Sequence, residues 1–219
     1  MAPKLYYFPM SPTCRAVLMV AKAIGLELEL EEVEREFLRT EEMLEINPQH
    51  TVPLLIDPVE NFSIWDSHAI AIYLVGQYAT EDSLYPKSDV KKCALITQRL
   101  HFDNLLFEKC KDAFHPVLAG VADEVTDESK ESILEYLGIL DIFLKDKPWI
   151  AGEDLTIADL TLLAIITTIE EVAFAIDPER FPRLTKWLTN GKNLVYFEEC
   201  NKEGLNKFKE MSRHEVPLI

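Results

Sequence analysis

The spacing of apolar positions changes part-way along the chain. In residues 1–79 the apolar runs are short and alternate between a period of two and a helical period; from residue 88 onward they are long and helical throughout. Leu5-Tyr6-Tyr7-Phe8 is a compact strand signal, closed by Pro9 and Pro12. Arg15 to Ile24 predicts a helix, with Gly25 at its C′ stop. Leu26, Leu28 and Leu30 alternate with glutamates and predict a half-buried edge strand. Thr40 before Glu41, Glu42 and Met43 predicts a capped short helix that ends before Asn47-Pro48. Leu54-Leu55-Ile56 and Phe62-Ser63-Ile64 flank an Asp57-Pro58 turn and predict a hairpin; Asp66 or Ser67 then caps a helix that runs through Tyr78.

The order β-α-β-α-β-β-α makes residues 1–79 an α/β domain of thioredoxin-like arrangement, one small mixed sheet covered by helices. Residues 80–87 are polar and turn-rich, as suits a linker. Beyond them no strand pattern survives. Helices are predicted over 88–118, 128–145, 156–173, 182–190 and 194–211, so 88–219 reads as an all-α domain. Its greasiest run, Leu160 to Ile169 between Asp159 and Glu170, is half a membrane span and reads as a buried helix. The first residues show no signal-peptide pattern, and Pro217-Leu218-Ile219 matches no address signal. Cys14, Cys93, Cys110 and Cys200 form neither a metal motif nor a disulfide framework, so reduced thiols in a soluble cytoplasmic protein without a metal are expected.

Charge narrows the partners. With 22 Lys+Arg against 38 Asp+Glu, the net charge of −16 argues against nucleic acid and against anionic membrane surfaces. An apolar share of 48 % across 219 residues is ample for a core and excludes a disordered acidic tail.

Candidate chemistry lies in three short segments of the first domain. Ser11-Pro12-Thr13-Cys14-Arg15 sits at a strand-to-helix junction, where free N–H groups and the helix dipole favour an anion. A serine hydroxyl there can donate to another molecule's thiolate, or it can simply cap the helix. In Asn47-Pro48-Gln49-His50-Thr51-Val52-Pro53-Leu54 a proline directly precedes a strand; in the cis form it would turn the Val52 backbone outward to pair with an extended ligand, and in the trans form it merely opens the strand. In Trp65-Asp66-Ser67-His68-Ala69-Ile70, Asp66 can receive an ammonium group and Ser67 can hold a carboxylate at a helix start, or the two can form an ordinary capping pair.

Taken together the three segments resemble the glutathione-binding half of cytosolic glutathione transferases, of the insect delta and epsilon classes, with Asp-Ser-His leaning towards epsilon. The resemblance extends over nearly the whole chain through Gln98-Arg99-Leu100-His101-Phe102-Asp103, Leu155-Thr156-Ile157-Ala158-Asp159, and Phe181-Pro182-Arg183-Leu184 with Trp187. It implies conjugation of glutathione to hydrophobic electrophiles in detoxification, with glutathione as co-substrate, no other cofactor, and a homodimer. It also implies residue roles. Ser11 would donate to the glutathione sulfur; His50, Thr51, Val52 and cis Pro53 would hold the glycyl and cysteinyl parts. Asp66 and Ser67 would take the γ-glutamyl amine and carboxylate, and His68 would add a nearby cation. Phe8, Met10, Phe107, Lys111, Phe114, His115 and Leu118 would line the hydrophobic substrate pocket. Many members carry a further glutathione-contacting histidine in the second helix region, where this chain has Leu38. A thiol-disulfide oxidoreductase or peroxidase working through Cys14, and a ligand carrier without chemistry, are the competing readings.

Overall fold

Pro9 and Pro12 withhold two backbone donors after β1 (Lys4–Tyr7), so the chain leaves the sheet there and turns into α1 (Pro12–Ala23), with Pro12 in the first helical turn. The computed structural model describes residues 1–211, and Pro217-Leu218-Ile219 lies outside the described residues. Helix α1 stops at Gly25, whose φ of 70° is the left-handed conformation that a C′ position requires. There follow β2 (Glu29–Glu32), α2 (Arg35–Leu38), α3 (Glu41–Ile46), β3 (Leu54–Asp57), β4 (Phe62–Trp65) and α4 (Ser67–Tyr78). Two details depart from the sequence pattern. Helix α2 is an additional single turn, and β2 begins three residues later than the Leu26–Leu30 alternation suggests. Pairing decides the second point: Lys4 sits opposite Glu29 in the parallel β1–β2 ladder, and its ammonium lies 2.9 Å from the Glu29 carboxylate.

The sheet order is β2-β1-β3-β4, with β1–β2 parallel and the other pairs antiparallel. Register places Tyr6 opposite Leu54 and Leu54 opposite Trp65. The end of β1, the start of β3 and the end of β4 therefore meet at one end of the sheet. The loops that carry Ser11, His50 to Pro53, and Asp66 all emerge there.

Residues 79–89 form no helix or strand. They are nonetheless anchored, because Leu84 is buried and its carbonyl accepts from Ile157 N–H at 3.1 Å. The helical half consists of α5 (Val90–Leu118), α6 (Asp127–Phe143), α7 (Ile157–Val172), α8 (Pro182–Lys192) and a π-helical turn (Glu198–Lys202) that runs into α9 (Glu203–Met211). Every residue of α7 from Ile157 to Ile169 is buried. At its start Asp159 is buried yet well supplied with donors: Thr156 N–H and Oγ1, Ile150 N–H and Trp187 Nε1 all reach it within 2.9 Å. No helix among the described residues is long and apolar enough to cross a membrane.

Helix α1 is shared between the two halves. Val17 and Ala21 pack with Leu5, Leu55, Ile70 and Leu74 against the sheet, whereas Ala16, Met19 and Val20 join the large core built around α7. Arg15 is 1 % exposed and points its guanidinium at Thr168 Oγ1 (2.6 Å) and Asn201 Oδ1.

Candidate active site

Ser11 stands at the N-cap position of α1, but its side chain makes no capping hydrogen bond. Its hydroxyl instead lies 2.7 Å from the Thr13 hydroxyl. Pro12 has no N–H, so the free amides of this helix end belong to Thr13 and Cys14. The Cys14 thiol is fully buried, accepts from Phe8 N–H at 3.5 Å, and is pushed up to about 11 by burial despite the neighbouring hydroxyls of Ser11 and Thr13. It is therefore a neutral packing group at physiological pH.

The loop before β3 is stapled by the buried Asn47, whose amide donates to Thr51 C=O at 2.8 Å and whose oxygen accepts from Gln49 N–H at 3.1 Å. His50 is half-buried with a φ of 47°, and the Val52–Pro53 peptide is cis. Trp65 Nε1 donates to the Gln49 side chain, which ties this loop to the end of β4. Asp66 follows with a φ of 75°, and its Oδ1 accepts from His68 N–H and Ala69 N–H, each at 3.0 Å. One carboxylate oxygen thus caps α4, and the residue stays exposed at the sheet end.

Ser67 and His68 are buried and face α1 and α5 across a small crevice that Pro12 and Thr13 also line. His68, expected to add a nearby cation, is engaged by a carboxylate. Its Nε2 lies 2.7 Å from Asp103 Oδ2, on α5 in the other half of the molecule. Burial disfavours the charged ring, but the hydrogen bond and negative charge of Asp103, with Asp66 adding to them, raise its pKa above the usual value.

Residues 5–82 match the family model described as "Glutathione S-transferase, N-terminal domain", and residues 103–193 match "Glutathione S-transferase, C-terminal domain". Glutathione S-transferase 1 of Manduca sexta is 37 % identical over 216 residues, which is 96 % of this chain and 97 % of the relative. The chain belongs to the glutathione S-transferase family. Among solved structures, a delta-class glutathione transferase of Nilaparvata lugens superposes with a TM-score of 0.89 at 38 % identity, covering 98 % of this chain and 100 % of that one. An epsilon-class glutathione S-transferase of the housefly, Musca domestica, reaches the same TM-score of 0.89 at 36 % identity, covering 99 % of this chain and 100 % of that one. The chain is a glutathione transferase enzyme of the insect delta/epsilon type, as the resemblance implied.

The residues expected on the electrophile side of this transferase are distributed unevenly. Phe107 is half-buried and lines the crevice together with Asp103 and Thr161. Phe8, Met10 and Leu118 are also half-buried. Phe114 is 6 % exposed and packs within the helical core, so it offers no open wall. Lys111 and His115 are exposed, and the Lys111 ammonium is already paired with Glu108 at 2.8 Å, one helical turn away. Leu38 is buried, with its neighbour Phe37 stacked on Tyr6 at 5.8 Å, so this helical turn serves packing.

Thr13 and Asp103, both polar and both lining the crevice, had no expected role. Thr13 looks in sequence like any residue of a first helical turn. Asp103 left a signal: it interrupts the apolar stripe Leu100, Leu106, Cys110 of α5, and a carboxylate on a buried face requires a partner.

Proposed function

We propose that Ser11 activates glutathione by donating its hydroxyl to the sulfur, so that the thiolate attacks hydrophobic electrophiles held beside α5. The observation that supports this most directly is the Ser11 hydroxyl itself, which is not committed to capping although it stands at the amino-terminal end of α1. There the hydroxyl donor and the helix dipole act together on an anion. A free thiol titrates at about 8.5, and each unit of depression corresponds to about 1.4 kcal/mol of preference for the thiolate. The thiol proton is lost to solvent, a sulfur lone pair forms the bond to carbon, and the leaving group departs with the electron pair of the bond that breaks; in addition to an unsaturated carbon, the resulting carbanion takes a proton from water.

The remaining roles follow the resemblance. Asp66 Oδ2, which makes no hydrogen bond among the described residues, takes the γ-glutamyl ammonium, and Ser67 takes the carboxylate. His50, Thr51 and the Val52 backbone beside Pro53 hold the cysteinyl-glycyl part. Phe107, with Phe8, Met10 and Leu118, supplies apolar area for the electrophile. Glutathione enters as co-substrate with no further cofactor, and the enzyme works as a cytoplasmic homodimer.

Ser11→Ala is expected to raise the thiol pKa of bound glutathione by about one to two units. It should lower kcat at neutral pH roughly ten- to a hundredfold while leaving glutathione affinity nearly unchanged. Titrating the bound thiolate by its ultraviolet absorbance checks the first point, and an unchanged pKa in the variant rules out the role given to Ser11. A redox reading through Cys14 is disfavoured by that thiol's complete burial.

A further inference from the structure

We propose that Thr13 is a positioning residue for this reaction: its hydroxyl donates to Ser11 Oγ and leaves the Ser11 proton for the glutathione sulfur. The inference rests on the role given to Ser11. It starts from the 2.7 Å separation of the two hydroxyl oxygens, a full hydrogen bond in which either group could donate. Each hydroxyl carries a single proton. A thiolate offers lone pairs only, so a Ser11 that serves the sulfur has no proton left for Thr13. With the thiolate in place, the contact is made with Thr13 as the donor. The outcome is a directed chain, Thr13 O–H to Ser11 O–H to sulfur, in which each bond polarises the next and makes Ser11 the stronger donor.

The local sequence holds this arrangement. Pro12 lies between the two residues and fixes φ at the first helical position, while Thr13 at the second carries a β-branched side chain with few rotamers. Ser11 keeps an extended backbone (φ −66°, ψ 123°), and its own carbonyl is engaged by Arg15 N–H at 3.0 Å. The backbone of both residues is thus held, which fixes the spacing from which their side chains meet. Thr13 is half-buried and lines the crevice with Ser67 and Asp103, close to where the substrate thiol is to be held.

A double-mutant cycle tests the proposal, with the pKa of enzyme-bound glutathione as the readout in Ser11→Ala, Thr13→Val and the double variant. Valine keeps the β-branched shape of threonine and puts a methyl group where the hydroxyl stood. Thr13→Val should raise the thiol pKa by about half a unit to one unit. At neutral pH kcat should fall roughly three- to tenfold and recover as pH rises, with the KM for glutathione nearly unchanged. Thr13→Ser should restore the wild-type value, which separates loss of the hydroxyl from damage to the helix. In the Ser11→Ala background, Thr13→Val should have no further effect. The proposal is overturned if Thr13→Val leaves the pKa where it was while Ser11→Ala raises it. It is equally overturned if Thr13→Val acts as strongly without Ser11 as with it, because Thr13 would then serve the sulfur directly. An unchanged pKa in Ser11→Ala would instead remove the reading on which the proposal stands.

Discussion

His68 and Asp103 form a bond between a helix of the sheet half and a helix of the helical half, and the pair is almost wholly out of water. Among the described residues Asp103 Oδ1 has no hydrogen-bond partner, and the contact to His68 is the single 2.7 Å one. Because Asp103 and Asp66 raise the His68 pKa against the cost of burial, the folded protein holds this proton more tightly than the unfolded chain does. The resulting stabilisation is fully present below the unfolded value of about 6.5 and is lost as pH rises through the higher folded value. Thermal melting across that window should show wild type losing stability with rising pH. His68→Gln should be less stable at the acidic end and flatter across the window, and parallel curves for the two proteins would contradict the assignment.

Among the elements, α9 fixes the loop that presents Ser11. A Cβ built on Gly204 would come within 2.1 Å of the Pro9 carbonyl oxygen and 2.8 Å of Arg15 Cδ. Backbone cannot yield there as the end of a flexible side chain would. Gly204→Ala should therefore cost about 1–3 kcal/mol of stability and, by displacing the loop of residues 8–11, reduce kcat. Gly138→Ala in α6 is the contrasting substitution: its nearest neighbour, Phe181 Cε1, lies at an ordinary 3.9 Å, and alanine favours helix. Denaturant midpoints should fall for the first and hold or rise for the second. The close approach of α9 could not be read from sequence, since Gly204 is one glycine in a helical stretch and its reason lies some 195 positions away in Pro9. The same holds for β2, whose position depends on Lys4 and Glu29, and for the identity of His68 as the partner that Asp103 requires. Local signals were legible where local physics suffices: Gly25 ending α1, Thr40 capping α3, and Asp66 or Ser67 starting α4, of which Asp66 is the residue that caps it.

At the scale of the molecule, net charge sets how an anionic tripeptide can be held. The chain carries −16 overall, and residues 1–79 alone hold 5 Lys+Arg against 12 Asp+Glu. Of the cations nearest Ser11 in sequence, Arg15 is buried and committed to Thr168 and Asn201. Attraction over distance does not favour glutathione here, so binding depends on donors in direct contact with it. Raising salt from about 0.05 to 0.5 M, which shortens the screening length severalfold, should change glutathione affinity by less than about threefold. A steep loss with salt, measured by titration calorimetry, would show that long-range attraction contributes after all.

The placement of α1 has a consequence for how this chain can be divided. Its inner face belongs to the sheet and its outer face to the helices around α7. A fragment cut in the segment between α4 and α5 would leave Ala16, Met19 and Val20 of α1, with Ala71 and Val75 of α4, open to water along one wall. Such a fragment is not a removable module. The half that carries Ser11 takes its shape in contact with the other, and swapping helical halves between relatives amounts to re-cutting one shared surface.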